Sequence, residues 1–260
     1  MKKIMNSKTG RAIALLAVTA ALTTTTVLAD NAFEFKGYTR AGVLYNSSLK
    51  YVDGVDKEHV GRLGNESDLY VEAELIKSVK AGQTWSKYHL LMAGGTTNFP
   101  TWDDAASGLH IRNAFVEIGG AEFAPSATFW VGKRFYGRDD IHITDVYWRD
   151  MSGTGAGVQG LVDGALDIAI INGKPMVDNE VRNTNANIDV RYRTEMGLEF
   201  EGVLGLRGDA SKIDPSNEDM NFQLGVIYSM SNFFGIGAGF SRTALQFGVN
   251  TQSWALGKCE

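Results

Sequence analysis

The feature that most constrains this chain is an alternation of apolar and polar residues with a period of two. In the stretch FEFKGYTRAG, residues 33–42, Phe33 and Phe35 alternate with Glu34 and Lys36. Successive side chains of a β-strand point to opposite faces of a sheet, so this period predicts strands with one apolar and one polar face. No apolar run reaches the ~20 residues that a membrane-spanning helix requires. The alternation therefore predicts an all-β protein.

This alternation recurs in residues 66–75, 187–194 and 197–206 and has two physical solutions. One is a soluble sandwich with an apolar core, and the other is a barrel with an apolar exterior and a polar lumen. The polar faces are rich in Arg, Asp, Glu and Tyr. About eleven strand-like segments are joined by short links and long loops in alternation, and this pattern favours a transmembrane barrel. A secreted carbohydrate-binding β-sandwich is the alternative. Short links are expected at residues 80–84, 119–127 and 162–166, and long loops at 47–66, 94–109, 137–153, 173–186 and 208–219.

The first 29 residues have the pattern of a secretory signal peptide. Four basic residues precede an apolar run from Ala12 to Leu22, and small residues lead to a cleavage position expected after Ala29. Without these residues 21 basic and 30 acidic side chains remain, so the formal net charge changes from −5 to −9. An acidic, exported chain is a poor candidate for nucleic-acid binding. The single cysteine, Cys259, excludes an internal disulfide framework.

The segment WVGKRFYGRDDIHITDVYWRDMSGTGAG, residues 130–157, crowds charged groups and aromatic rings behind a predicted strand. Most charged loops are solvated surface loops. This one mixes arginine donors and carboxylate acceptors with tyrosine and tryptophan rings. Sugar hydroxyls bridge such donors and acceptors, and the C–H face of a pyranose packs on aromatic rings. A loop at 137–153 that folds into a pore would therefore form a sugar-selective constriction.

Together these segments resemble the maltoporin family, the sugar-specific trimeric porins of Gram-negative outer membranes. The resemblance rests on FEFKGYTRAG, GRLGNESDLYVEAEL, TWDDA, IRNAFVE and, above all, on residues 130–157. It extends from Phe33 to Gly157 and more loosely to residue 242. It implies an 18-stranded antiparallel transmembrane β-barrel that lies in outer-membrane lipid as a homotrimer. It also implies facilitated diffusion of maltose and maltodextrins, with no cofactor, no metal and no enzymatic activity.

The resemblance also implies sugar-binding residues. The aromatic track on which the apolar face of the sugar glides corresponds to Tyr38, Tyr70, Trp102 and Phe233, with Phe234 as the alternative to Phe233. The polar track that exchanges hydrogen bonds with the sugar corresponds to Arg40, Arg62, Glu72, Arg112, Arg138, Asp140 and Asp145. Tyr147 corresponds to the residue that narrows the constriction. For Tyr38 and Tyr70, the alternative is a belt of tyrosines at the membrane boundary.

Three further interpretations concern individual residues and the chain end. His142 lies near Asp139 and Asp140, which raises the question of a metal site. No second histidine lies at the spacing that such a site needs, so His142 is interpreted as an ordinary loop residue. The same two carboxylates match a glycosidase pair only in residue type, because nearby arginines would keep both ionised. The chain ends in SWALGKCE near its expected eleventh strand. An open sheet edge in lipid is costly, so this ending favours a fragment or frameshifted product, unable to close an 18-stranded barrel alone, over eleven strands that close in another way. A non-functional porin fragment is therefore a further alternative to the channel.

Overall fold

A computed structural model describes residues 12–14, 18–20, 23–24, 33–52, 67, 69–96, 109–141, 146–173, 185–207 and 220–249. All regular secondary structure in these ranges is β-strand. No helix with the length and hydropathy needed to cross a membrane is found among these residues. In chain order the strands are β1 (Ala12–Ala14), β2 (Val18–Ala20), β3 (Thr23–Thr24), β4 (Phe33–Ala41), β5 (Leu44–Asn46), β6 (Tyr51–Val52), β7 (Leu69–Ala81), β8 (Thr84–Thr96), β9 (His110–Ala121), β10 (Ala124–Arg134), β11 (Asp139–Ile141), β12 (Val146–Arg149), β13 (Gly153–Leu161), β14 (Leu166–Gly173), β15 (Asn185–Arg193), β16 (Leu198–Arg207), β17 (Met220–Met230) and β18 (Ser241–Val249).

Eleven of these strands form one antiparallel sheet, in the order β4-β7-β8-β9-β10-β13-β14-β15-β16-β17-β18. Along this sheet each strand pairs with the next one in the chain. The short strands β5 and β6, between β4 and β7, and β11 and β12, between β10 and β13, lie in loops and do not join it. The short strands β2 and β3 add to the free side of β4, and β1, β5 and β6 form a separate small sheet. The prediction of an all-β fold with about eleven antiparallel strands is confirmed. The strands β1 to β3 lie within the segment predicted as a signal peptide. Their presence says nothing about cleavage, so cleavage after Ala29 stays a prediction.

The register places polar side chains from neighbouring strands on one side of the sheet, which we call the polar face. Arg191 of β15 is the partner of Glu201 of β16. Asp189 is 0% exposed and Arg191 8%, whereas Val190 and Tyr192, which point the other way, are 38% and 44% exposed. On β15 the polar face is therefore covered and the apolar face is open, the reverse of a soluble protein.

Large apolar side chains remain exposed on the apolar face across the whole sheet. Leu75 of β7, Phe200 of β16, Leu224 of β17 and Phe247 of β18 are all more than one third exposed. In a β-sandwich these side chains would form the core between two sheets. Within the described strands they pack against no second sheet, and this contradicts the sandwich alternative.

Two kinds of connection alternate between the strands. The turns β7–β8, β9–β10, β13–β14 and β15–β16 contain two to four residues, and those at 80–84, 119–127 and 162–166 lie where they were predicted. At the opposite end of the sheet the connections span residues 42–68, 97–109, 135–152, 174–184 and 208–219. We call these ends the short-turn end and the long-loop end. The β17–β18 connection, residues 231–240, is a longer turn at the short-turn end.

Residues 135–152, which we call the inward loop, pass from β10 to β13 and carry the hairpin β11–β12. Two apolar residues of this loop, Tyr136 and Met151, are buried against Trp130 of β10 and Ile171 of β14. Trp130 belongs to the same face as Glu117, its partner on β9. The inward loop thus lies on the polar face and closes a small apolar core there.

Candidate functional site

Buried ion pairs around Arg149 fix the inward loop to the polar face. The Arg149 side chain is 2% exposed. Its Nη1 donates to Oε1 of Glu201 at 2.6 Å, and its Nη2 donates to Oδ1 of Asp189. Burial works to lower the pKa of Arg149, but the carboxylates of Asp189 and Glu201 outweigh burial and raise it. Arg149 therefore remains cationic, and the two strands β15 and β16 hold the loop.

Asp139 provides the second attachment of the inward loop. Its Oδ1 accepts from Nη2 of Arg242 on β18 at 2.8 Å, and its Oδ2 lies 3.6 Å from Nη2 of Arg191. Arg191 also lies 3.5 Å from Glu201, so the two attachments share partners. We call Arg149, Asp139, Asp189, Arg191, Glu201 and Arg242 the anchor network.

Gly137 allows the inward loop to turn beneath Arg191. Its φ is +56°, and a Cβ at this position would lie 2.6 Å from Nη2 of Arg191. We expect Gly137→Ala to destabilise the folded chain by about 2 kcal/mol or more, because left-handed strain and a displaced Arg191 add together. The measurement is the urea unfolding midpoint in detergent. Gly82→Ala is the control, since Gly82 has φ +63° and nothing within 4 Å. Equal losses in both variants would contradict the role of Arg191.

Four of the predicted sugar-binding residues form one cluster on β4 and β7. The Tyr38 and Tyr70 rings are 6.1 Å apart and inclined by 59°. The Tyr70 hydroxyl donates to Oε1 of Glu72 at 2.5 Å. The Arg40 guanidinium lies 5.5 Å from the Tyr70 ring centroid. All four belong to the polar face, because Tyr38 pairs with Glu72 and Arg40 with Tyr70.

Three other predicted residues meet in a stack at the inward loop. The Arg138 guanidinium lies 4.4 Å from the ring centroid of Phe135 and 4.3 Å from that of Tyr147. Arg112 of β9 lies 5.3 Å from the same Phe135 ring. We call Arg112, Phe135, Arg138 and Tyr147 the loop stack. Asp140 lies next to it, since its register partner in the β11–β12 hairpin is Tyr147.

The remaining predicted residues are not part of either cluster. Phe233 and Phe234 lie in the β17–β18 turn at the short-turn end, 51% and 56% exposed, with rings 5.0 Å apart. Strand alternation does not direct a turn residue to the polar face, so the place of Phe233 or Phe234 on the aromatic track stays a prediction. Three predicted track residues and one histidine lie outside the described ranges: Arg62, Trp102, Asp145 and His142.

Sequence reasoning missed the anchor network as a unit. Asp189 and Arg191 belong to a predicted polar face, but Arg149 is separated from Asp189 by 40 residues. The signal available in the sequence was the number of charged residues on one face of β15 and β16. Such a face needs partners of opposite charge from another segment. Within the described ranges no group of three or more His, Cys, Asp or Glu residues could hold a metal ion.

An antiparallel sheet with an open apolar face, a covered polar face and a charged loop folded onto that polar face defines the porin class of β-barrels. The profile of one family, described as LamB porin, matches residues 33–259. The chain belongs to the LamB porin family, and the resemblance to maltoporins is confirmed.

Two relatives illustrate this similarity. The chain is 33% identical over 243 residues to a maltoporin of Vibrio cholerae serotype O1 (strain ATCC 39315 / El Tor Inaba N16961), and the matched region covers 90% of this chain and 57% of that protein. It is 34% identical over 207 residues to maltoporin 2 of Yersinia pestis (strain Pestoides F), and that match covers 71% of this chain and 49% of the relative. The chain spans about half the length of the curated relatives it matches.

Proposed function

We propose that this chain forms the wall and the constriction of an outer-membrane channel through which maltose and maltodextrins diffuse. The observation that carries this proposal is the pair of clusters on the polar face, in which aromatic rings lie among guanidinium and carboxylate groups. Sugars need that combination, because their C–H faces pack on rings while their hydroxyls both donate and accept. Membership of the LamB porin family supports the same conclusion.

The apolar face supports a position in the membrane. Side chains such as Phe200, Leu224 and Phe247 are exposed where a barrel meets hydrocarbon. We further propose export through a signal peptide of residues 1–29 and assembly as a homotrimer in outer-membrane lipid. Both proposals come from the sequence pattern and from the family.

The two clusters would bind sugar by different groups. Tyr38 and Tyr70 offer tilted rings on which a pyranose can pack, and the second oxygen of Glu72 can accept from a hydroxyl. In the loop stack, Arg138 has Phe135 and Tyr147 against its planar group, so its N–H groups donate along its own plane. Each contact is weak enough to be exchanged for the next, which is what passage through a selective pore requires. No bond of the sugar is broken in this process.

The experiment that tests the proposal is single-channel conductance in a planar bilayer, with the full chain folded in detergent and maltohexaose added. We expect stepwise openings that maltohexaose blocks and sucrose does not. Openings without a block would contradict the sugar path. Silence, while a full-length maltoporin conducts in parallel, would contradict pore formation by this chain and favour the non-functional fragment. Release of reducing ends from maltohexaose would instead indicate a glycan-degrading enzyme.

The contribution of the aromatic track can be measured at Tyr38. We expect Tyr38→Ala to raise the maltohexaose concentration for half-block by about three- to ten-fold, because a stacking surface is lost. Tyr38→Phe keeps the ring and should block like the unchanged chain. If Tyr38→Ala also blocks normally, the sugar does not use the Tyr38 ring.

A further inference from the structure

Phe135 is the one member of the loop stack that the resemblance did not assign to the sugar path. It is the first residue after β10, and its backbone position is fixed. Its N–H donates to Oδ1 of Asn113, a side chain on β9 that is only 8% exposed, at 2.9 Å. Its carbonyl accepts from Nε of Arg134 at 3.3 Å. The Phe135 ring therefore starts from a backbone attached to the sheet.

A break in the strand register brings Arg112 to this ring. Between β8 and β9 the pairing shifts, so that Leu91 faces Asn113 while the next residue, Met92, faces Ile111. Arg112 is the extra residue of this bulge, and bulges redirect the side chains of the residues they contain. The redirected guanidinium of Arg112 lies 5.3 Å from the centroid of the Phe135 ring.

Phe135 therefore contacts two cations that would repel each other. Arg138 lies 4.4 Å from the same ring and has Tyr147 as its second aromatic neighbour. The face of an aromatic ring carries partial negative charge, which attracts a guanidinium group and favours a stacked orientation. One ring thus contacts two arginines of the polar track, of which Arg138 also has Asp150 near it, with Nε 3.6 Å from Oδ2.

We propose that Phe135 is a positioning residue, which holds Arg112 and Arg138 with their planar groups on its ring so that their N–H edges are presented to the sugar. The part of this inference that concerns sugar rests on the proposed function. The part that concerns arginine orientation does not, and it can be measured without sugar.

The test is the rate at which phenylglyoxal modifies each arginine of the full chain folded in detergent, followed by mass spectrometry of its peptides. We expect Phe135→Leu to raise the rate at Arg138 by about three-fold or more, because its guanidinium loses one of its two ring neighbours, and to raise the rate at Arg112, which is already exposed, by less. Phe135→Tyr keeps the ring, so both arginines in this variant should react at the same rate as in the chain with Phe135. Arg149, buried in the anchor network, is the internal control and should stay slow in every variant.

The outcomes separate positioning from sugar binding. Unchanged rates at Arg112 and Arg138 in Phe135→Leu would overturn the inference. So would an equal rise at Arg149, because Phe135 would then hold the whole loop and not these two arginines. With maltohexaose present, we expect Arg138 to be protected in the unchanged chain and less protected in Phe135→Leu. No protection in the unchanged chain, together with faster modification in Phe135→Leu, would support positioning while contradicting the proposed sugar channel.

Discussion

Arg149→Met is expected to destabilise the folded chain by about 3–5 kcal/mol, because it removes the cation from a buried group of carboxylates. The side chains of Asp189 and Glu201 are 0% and 2% exposed, and both direct an oxygen at Arg149. Without the guanidinium they become buried charges with less compensation, which is far more costly than losing an exposed pair. Urea unfolding in detergent, followed by tryptophan fluorescence, measures the change.

Two controls assign this loss to buried charge. Lys36→Met breaks a contact of 3.4 Å with Glu34 between side chains that are 48% and 32% exposed, and it should cost less than about 1 kcal/mol. The triple variant Arg149→Met, Asp189→Asn, Glu201→Gln removes the opposed charges together and should recover part of the stability. A triple variant as unstable as Arg149→Met alone would show that packing, not charge, causes the loss.

Arg138→Met is expected to weaken the maltohexaose block of the channel by about ten- to a hundred-fold, because hydrogen bonds from a charged donor contribute about 1.5–3 kcal/mol. Methionine keeps an unbranched apolar chain between Phe135 and Tyr147, so part of the packing of the loop stack remains while the donors are removed. The measurement is the maltohexaose concentration that closes half of the open channels.

The matched control for this substitution is Lys133→Met. Lys133 is also basic and close in sequence, but it is exposed and donates to the carbonyl of Ile111 at 2.7 Å. It should leave the block unchanged, and Arg138→Lys should fall between the two because it keeps charge but loses the planar donor group. If Arg138→Met blocks like Lys133→Met, the sugar does not use Arg138.

The strands and their faces could be predicted because alternation is a local property of the chain. It placed Tyr38 with Arg40 on one strand and Tyr70 with Glu72 on the next, and the register joins the two pairs. The glycine at position 82 likewise indicated a short link, and in the structure its φ is positive, as a turn glycine allows. Each of these features depends on residues only a few positions apart.

The contacts between distant segments could not be predicted in this way. Nothing near Asp139 indicates that Arg242 will be its partner, because the two meet only after the strands between them have paired. Arg112 reaches Phe135 through a bulge, which strict alternation cannot represent. Phe233 was assigned to the track by similarity across insertions and deletions, and its place in a turn is outside what strand alternation can predict.

The strict face alternation of β15 limits how this chain can change length. Deleting one residue inside the strand would turn Asp189 and Arg191 outward and bring Val190 against Arg149, because a shift of one position exchanges the two faces. A change of two residues would preserve the faces, and a change of length in a connection between strands leaves the faces as they are. Insertions and deletions among LamB porins should therefore collect at the long-loop end, and those inside strands should come in even numbers.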